Sequence, residues 1–420
     1  MATMASLSEF NPAVVPWQRT LYIISFAQMV TSIGFSSIFP FLPMYVKALG
    51  TATSVSIDLL VGLVFSGQAV SMMIASPIWG ALADRWGRKI MVERAMYGGA
   101  LVFILMGFVR SAEELVLLRV VQGVITGTIG AANALVASVV PRERSGYAMG
   151  FLSVAMGCGL GIGPIIGGIV ADTLGYRSAF FVTAALLAVA GIIISFGVHE
   201  RFVLKVFQTE GSKGLLGEWR RILSVPEVMV SYIIRFLDQL GRIIFIPILP
   251  LFLQELITSS EHVNSLTGLV IGVCSAATAS FAVILGRIGD HIGHRQILIK
   301  CALICVCLFT LQSLVHATWQ LLVLQALFGV ALGGIVPGVS ALLASHATKG
   351  SEGAVYGLDN SIISGARAIG PMLGVGIAMW FGFRVVFLSA AGLYLTAGIL
   401  AVFGLPGDNQ DAAKKLGMTD

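Results

Sequence analysis

Twelve apolar stretches, each about 20 residues long, follow one another along this 420-residue chain. As a helix rising about 1.5 Å per residue, such a stretch crosses the roughly 30 Å of hydrocarbon in a bilayer. The stretches begin near Leu21, Asp58, Ile90, Leu115, Ala148, Ser178, Val228, Leu266, Ile297, Trp319, Ala354 and Val385. Because 57% of the residues are hydrophobic and only 11% are charged, the chain lacks the polar surface of a water-soluble domain. We therefore predict an all-α membrane protein with twelve transmembrane helices.

The positions of lysine and arginine predict the orientation of these spans. With the N-terminus inside, eighteen of them fall in predicted cytoplasmic loops, and four, Lys47, Arg110, Arg177 and Arg384, fall on the opposite side. Loops rich in these residues stay in the cytoplasm, so both termini are predicted to be cytoplasmic. The same bias explains the net charge of +5, and no nucleic-acid partner is needed to explain it.

An internal repeat relates the two halves, because shifting the sequence by 206 or 207 positions aligns glycines, prolines and charged residues. The aligned sets include Gly34, Pro40 and Pro43 with Gly241, Pro247 and Pro250; Gly80, Asp84 and Gly87 with Gly286, Asp290 and Gly293; and Gly175 and Arg177 with Gly382 and Arg384. We predict an N-terminal six-helix bundle over residues 1–199, a cytoplasmic linker over 200–225 and a C-terminal six-helix bundle over 226–420. Two pseudo-symmetric bundles are typical of carriers that rock about a central site.

The most specific motif, Gly80-Ala81-Leu82-Ala83-Asp84-Arg85-Trp86-Gly87-Arg88-Lys89, lies in the loop between the second and third predicted spans. A degenerate copy occupies residues 286–295, in the equivalent loop of the second half. The pair resembles the signature of the major facilitator superfamily, and this resemblance covers almost the whole chain. The segment from Arg119 to Gly123 and the glycine-rich fifth span resemble the twelve-helix drug:proton antiporter branch of that family. The resemblance implies two bundles that work by alternating access.

The loop motif is predicted to hold the cytoplasmic gate shut in the outward-open state. Its glycines permit tight turns, and Asp84 is an anion suited to the positive end of a neighbouring helix, which the resemblance identifies as the eleventh span. The basic residues of the loop could pair with Glu143, and Asp359 is expected to pair with the loop arginines. The predicted gate residues are Gly80, Asp84, Arg85, Gly87, Arg88, Lys89, Asp290 and Asp359. The alternative for any one basic residue is a purely topological positive charge.

The fifth predicted span contains a dense glycine pattern interrupted by one proline. Glycines at this spacing let helix backbones touch, and Pro164 removes one backbone hydrogen bond and kinks the helix. The pattern consists of Gly159, Gly163, Pro164, Gly167 and Gly168. The resemblance identifies it as a motif of antiporters, whereas generic helix packing would explain the glycines without the proline.

Six ionisable residues lie inside the predicted spans, where a charge is costly unless it is paired or faces water. They are Arg119, Arg235, Asp238, Arg242, Asp359 and Arg367. Asp238 is predicted near the midplane, and Arg235 and Arg242 share its helical face, so that they could pair with it from both sides. The first-half counterparts of these three residues are uncharged, which favours a functional role. We predict that Asp238 binds the coupling proton with help from both arginines, and the alternative is a static ion pair.

Two further arginines have open interpretations. The resemblance implies that Arg119 faces the cavity and takes part in proton coupling, whereas an arginine so near the end of a span could instead extend to the interface. Arg367 interrupts the second-half copy of the glycine motif. It could contact an anionic substrate or lipid, or pair with Asp359.

The family fold places a substrate cavity between the first, fourth, seventh and tenth spans. Its candidate residues are Gln28, Ser32, Asn133, Tyr232, Gln239, Gln325, Phe328 and Arg367. Taken one at a time, the uncharged residues in this group are more typical of packing and interhelical hydrogen bonds than of ligand contacts. The charges in the cavity do not decide the charge of the cargo. An unpaired Asp238 would suit a cation, whereas an excess of arginine charge would suit an anion.

The sequence as a whole predicts a secondary carrier. Histidines without metal-ligand spacing and the lack of a nucleotide-binding loop or catalytic constellation predict no metal, no cofactor and no enzymatic activity. We expect a monomer that exports amphipathic drugs in exchange for protons, with small-molecule cargo, protons and the bilayer as partners. The alternatives are an uptake symporter or an exporter of lipid-like or anionic solutes on the same fold, and a membrane sensor that transports nothing.

Overall fold

A computed structural model describes residues 17–127, 132–133, 135–136, 139–140, 144–198, 223–257, 262–345 and 352–405. Fourteen α-helices are defined over these ranges, which contain no strand. They are α1 (Trp17–Ser37), α2 (Leu42–Leu49), α3 (Ile57–Trp86), α4 (Arg88–Phe108), α5 (Ala112–Ile125), α6 (Ser145–Leu174), α7 (Tyr176–Gly197), α8 (Pro226–Ile243), α9 (Leu249–Leu256), α10 (Val263–Ile292), α11 (His294–Ser313), α12 (Thr318–Ser345), α13 (Glu352–Phe381) and α14 (Phe383–Gly404).

Each of the twelve predicted spans corresponds to one helix, and every predicted start lies within four residues of an observed helix start. Within the described ranges, nine helices are long and apolar enough to cross a membrane alone, and the pair α1–α2, bent by 45°, makes a tenth. α5 is shorter, with 14 described residues, and α8 carries four charged residues among its 18. The prediction of an all-α, multi-pass membrane protein is confirmed.

The two halves repeat the same packing. α1 packs on α6 and α7, and α8 packs on α13 and α14 in the same manner. Glycines with positive φ recur at matching positions, at 100° and 97° for Gly87 and Gly293, and at 85° for both Gly175 and Gly382. Because these angles favour glycine, the sequence repeat preserves the turns that join successive helices. The two pseudo-symmetric bundles are therefore present, whereas most of the predicted linker falls in residues 199–222, outside the described part.

A cluster of aromatic side chains stabilises the second half and positions Tyr394. Phe309 of α11 lies 4.7 Å from Phe328 of α12 and 5.6 Å from Tyr394 of α14, measured between ring centroids. Phe245, just after α8, packs against the same group. Pairs of this kind contribute about 0.5–1.5 kcal/mol each beyond their buried area. The group fixes the Tyr394 ring beside α8.

Over the described residues, the halves meet mainly along two seams, α6 against α10 and α3 against α13. We call the end that carries α2 and α9 the outer end, following the predicted orientation. Near this end the backbones touch, because a Cβ at Gly168 would meet the Asn264 carbonyl and one at Gly268 would meet the Pro164 carbonyl. Farther along α6, a Cβ at Gly161 would lie 3.5 Å from Ser275, and one at Gly157 would have no described neighbour within 4 Å. The seam between α6 and α10 is therefore closely packed at the outer end and more loosely packed toward the cytoplasmic end.

Candidate functional site

Asp238 of α8 is held by two side chains in the interior of the second half. Arg242 donates from Nη2 to Asp238 Oδ2 at 2.7 Å and to Gln239 Oε1 at 2.9 Å, and the Tyr394 hydroxyl lies 3.3 Å from Asp238 Oδ1. The Asp238 side chain is only 1% exposed. The predicted pairing with Arg242 is present, but the carboxylate is sealed from water in this conformation.

Arg235 does not pair with Asp238, which corrects the prediction of a carboxylate held from both sides. Arg235 instead reaches Asp359 of α13, from Nε to Oδ1 at 3.1 Å and from Nη2 to Oδ2 at 3.3 Å. Side chains on a helix point toward its N-terminus, so an arginine four residues after Asp238 leans onto it while one three residues before leans away. Farther along the same two helices, the missing side chain of Gly374 lets α13 approach the Ile244 carbonyl at the end of α8.

The same geometry corrects the predicted role of Asp359. The sequence predicts a pairing with the arginines of the cytoplasmic loop. In the structure, both oxygens of the Asp359 carboxylate instead accept hydrogen bonds from Arg235 in a bidentate contact. The Asp359 side chain is 15% exposed and that of Arg235 is 10% exposed. Asp359 is therefore the more accessible of the two interior carboxylates described for α8 and α13.

Arg119 neither faces a cavity nor extends to the interface, which corrects both interpretations. It is 2% exposed, and it donates to the Val64 carbonyl at 2.9 Å and to Gln122 Oε1 at 2.6 Å. The cause is close packing of α3 and α5, since a Cβ at Gly123 would meet the Gln68 carbonyl of α3. Arg119 thus joins two helices of the first half.

Most of the predicted cavity residues are buried. The buried members are Gln28, Ser32, Tyr232, Gln239, Gln325 and Phe328. Gln325 bonds Gln312 at 3.1 Å and Phe328 belongs to the aromatic group, so the prediction that these two line the cavity is wrong. The reason is that the helical faces turned toward the bundle core and toward the cavity are both apolar with scattered polar residues. Asn133 is partly exposed.

Arg367 is partly exposed, and within the described residues its guanidinium has no hydrogen-bond or ion-pair partner. The suggested pairing with Asp359 is therefore wrong, because Arg235 occupies that carboxylate. Its free donors fit the other interpretation, contact with an anionic substrate or lipid.

The cytoplasmic loop is described in part. Gly87 has a φ of 100° and is the N-cap of α4. The Lys89 ammonium donates to the Ser195 carbonyl at 2.8 Å and lies 3.6 Å from Glu93. The described part does not include the surroundings of Gly80, the side chains of Asp84 and Arg85, or Glu143. The role of the loop motif in holding the cytoplasmic gate shut therefore stays a prediction. In the second copy, Asp290 contacts His294 at 3.2 Å within its own half.

The fifth-span glycines face two different helices. Gly159, Gly163 and Gly167 face α1, where an added Cβ would meet backbone carbonyls. Gly168 instead faces Asn264 of α10, and Pro164 touches the same helix through its carbonyl at Gly268. The motif is thus a packing element within the first half and, at its outer end, between the halves.

A carboxylate that the sequence analysis missed joins the halves at the outer end. Asp172 of α6 accepts from Asn264 Nδ2 at 2.7 Å, from the Ser265 amide at 2.7 Å and from the Ser265 hydroxyl at 2.5 Å. These donors belong to the first turn of α10, whose free amides favour an anion. One signal could have revealed it, since an acid in the last turn of its own helix opposes the helix dipole.

Removing this carboxylate is expected to loosen the outer closure. In Asp172→Ala, the Ser265 amide loses its acceptor, and hydrogen exchange in the peptide that covers the start of α10 should accelerate about tenfold. Thr173→Ala is the matched control, because among the described residues the Thr173 hydroxyl bonds only the Ile169 carbonyl of its own helix. Equal exchange in both variants would contradict the contribution of Asp172 to closure.

Two pseudo-symmetric helical bundles, with paired charges inside and a seam sealed at one end, define a membrane carrier of the alternating-access class. The comparison with known families agrees. The family model described as Major Facilitator Superfamily matches residues 24–237 and again residues 231–420. The chain belongs to the major facilitator superfamily, and the separate match of each half corresponds to the internal repeat.

Similar proteins cover nearly the full length. The chain is 35% identical to a "Multidrug resistance protein MdtG" of Dickeya zeae, over 92% of this chain and 94% of that protein. It is 36% identical to a protein of the same name from Citrobacter koseri, over 92% and 95%. Both relatives are named for multidrug resistance.

Solved structures agree on the fold. The nucleoside transporter NupG superimposes with a TM-score of 0.73 at 15% identity, covering 91% of this chain and 98% of its own. The human organic anion transporter MFSD10 superimposes with a TM-score of 0.67 at 19% identity, covering 92% and 99%. At these identities the likeness concerns the fold alone.

Proposed function

We propose that this chain exports amphipathic drugs and related small molecules in exchange for protons, as a monomer in the bacterial inner membrane with both termini in the cytoplasm. Relatives named multidrug resistance proteins, which align over nearly the whole chain, support this class of cargo. The seam that is tight outside and loosens toward the cytoplasm supports alternating access, because such a carrier closes one end while the other admits cargo.

The Arg235–Asp359 pair is the observation that carries the proton-coupled part of the proposal. Asp359 is 15% exposed and Asp238 is 1% exposed, so water in the interior can exchange a proton with Asp359. Arg235 binds the ionised carboxylate through two N–H bonds, and protonation would weaken both of them. Protonation of Asp359 therefore changes the charge of this pair and frees Arg235 N–H donors at the surface that contacts the cargo.

The other predicted residues take supporting roles in this proposal. Asp238 positions Arg242 rather than exchanging protons, because its carboxylate is buried away from water and is hydrogen-bonded by both Arg242 and Tyr394. Arg119 ties α5 to α3 through the Val64 carbonyl. The loop residues around Asp84 and Arg85 would close the cytoplasmic end when the outer end opens.

Transport by everted membrane vesicles tests the proposal. When respiration acidifies their interior, vesicles that contain the chain should accumulate a fluorescent amphipathic drug against its gradient. An uncoupler should abolish the accumulation, because the proton gradient is its energy source. Vesicles without the chain are the control, and accumulation that an uncoupler leaves unchanged would contradict proton exchange.

The same experiment separates the alternatives. An uptake symporter would accumulate cargo in right-side-out vesicles and not in everted ones. A membrane sensor would accumulate cargo in neither preparation. Either pattern would overturn the proposed export.

A further inference from the structure

Three arginines of the second half have hydrogen-bond donors that no described residue uses. Arg235 Nη1 and Arg242 Nε are buried and have no hydrogen-bond partner. Arg367 uses none of its donors within the described residues, although its side chain is only partly exposed. A buried guanidinium with unused donors is costly, so an acceptor that enters this region would be stabilised by these donors.

The three guanidinium groups belong to one region of the interior. Gly370 of α13 lies level with Leu240 and Ile243 of α8, because a Cβ there would be 3.0 Å from the Ile243 side chain. Arg367 is one helical turn before Gly370, so it lies level with α8 one turn before Leu240 and Ile243. The Arg242 side chain leans back to this level, where it donates to Asp238 and Gln239. Arg242 and Arg235 are also the charges that act electrostatically on Arg367.

Arg367 lies at the edge of the α13 face that packs on α8, on the side toward the other half. On α13, Gly370 faces α8 of the same half, while Val375 faces Gly62 of α3 in the other half. At about 100° per residue, Arg367 lies within about 20° of Gly374, which approaches the Ile244 carbonyl of α8, and about 80° from Val375. Arg242 is also accessible, since its side chain is 24% exposed although Asp238 beneath it is sealed.

The charge of this cluster is not balanced. Three arginines, Arg235, Arg242 and Arg367, face two carboxylates, Asp238 and Asp359, which leaves one positive charge when both acids are ionised. A cargo with one acidic group would neutralise the cluster, whereas a cationic cargo would raise its charge to two. Interior charges are tolerated when they are paired, so the cluster favours the anion.

We propose that Arg367, Arg242 and Arg235 form a subsite for the acidic group of the cargo, and that the preferred cargo is an amphiphile with a single carboxylate or sulfonate. The inference rests on the proposed export function and specifies its substrate class. Guanidinium groups suit such oxyanions because they donate in a planar fork. Export of an anion from a negatively charged cell interior is also assisted by the membrane potential.

Binding to the purified protein, with no proton gradient present, tests the subsite. Three probes share one ring system and differ in charge, namely 2-naphthoate, 2-naphthamide and 2-naphthylmethylammonium. Equilibrium dialysis in a neutral detergent should give an affinity about tenfold higher for the anion than for the cation. Arg367→Leu should lower the affinity for 2-naphthoate about tenfold and leave that for 2-naphthamide unchanged, and Arg367→Lys should keep most of the preference.

Arg110→Leu is the matched control, because Arg110 is an exposed arginine at the outer end of α4. Equal binding of the three probes, no saturable binding of 2-naphthoate, or an unchanged affinity in Arg367→Leu would each overturn the subsite. Counterflow of labelled 2-naphthoate in liposomes should occur in the wild type, and binding without counterflow would reject the anion as cargo. Failure of export itself would appear separately, as no gradient-driven accumulation of any drug in everted vesicles.

Discussion

Asp359→Asn is expected to lower proton-driven export by about 100-fold or more, the effect of roughly 3 kcal/mol. Asparagine keeps the shape of the side chain and can accept one hydrogen bond from Arg235, but it cannot ionise or carry an exchangeable proton. The change also leaves the Arg235 charge without its counter-charge in a largely buried place. The measurement is the initial rate of drug accumulation in energised everted vesicles, normalised to the amount of folded protein.

Two variants serve as controls for this result. Asp359→Glu keeps a carboxylate and should retain proton-driven export, and Glu255→Gln removes an exposed carboxylate of α9 and should behave as the wild type. Exchange of labelled for unlabelled drug without a gradient should persist in Asp359→Asn. A normal proton-driven rate in Asp359→Asn would remove this residue from the coupling.

Gly168→Ala is expected to shift the carrier strongly away from the conformation that is closed at the outer end. The added methyl group would meet the Asn264 carbonyl of α10, and α6 and α10 cannot separate without opening the seam between the halves. Overpacking of this kind costs about 1–3 kcal/mol, which corresponds to a shift of about 5-fold to 150-fold in the equilibrium between conformations. Export should fall because the carrier rarely admits cargo from the cytoplasm.

The distance between spin labels at Lys47→Cys in α2 and Glu255→Cys in α9 measures this shift, with the five native cysteines replaced. The wild type should give mainly a short distance, and Gly168→Ala should give mainly a longer one. Gly157→Ala is the matched control, because it adds the same methyl group to the same helix where no described atom lies within 4 Å. An unchanged distance in Gly168→Ala would show that this contact does not hold the outer end closed.

The fold could be predicted from the sequence because its determinants repeat. Apolar length indicated the helices, and the pairs Gly87 with Gly293 and Gly175 with Gly382 mark turns that only a positive φ allows. The interior charges could also be identified, since ionisable residues stand out in an apolar span.

Their partners could not be predicted. Spacing along one helix offered Asp238 two arginines, but the choice between them depends on the direction of each side chain and on the neighbouring helix. Arg235 therefore pairs with Asp359 of the neighbouring helix α13, while Arg242 pairs with Asp238 of its own helix.

The contacts between the halves could not be predicted from the sequence either. Asp172 lies at the end of an apolar helix, and its partners Asn264 and Ser265 are 92 and 93 residues away. No local pattern connects residues at such a separation. The cavity predictions for Gln325 and Phe328 failed for a related reason. Residues that face the bundle core and residues that face the cavity have equally apolar neighbours in the sequence, so the sequence does not distinguish them.

Proton movement and drug movement measured in the same liposomes, with a pH-sensitive dye and a labelled drug, test the proton exchange at Asp359 most directly. Wild-type protein should move protons in the direction opposite to the drug, Asp359→Glu should do the same, and Asp359→Asn should move no protons in response to the drug. Drug-dependent proton movement that persists in Asp359→Asn, or wild-type drug transport without any proton movement, would contradict the mechanism.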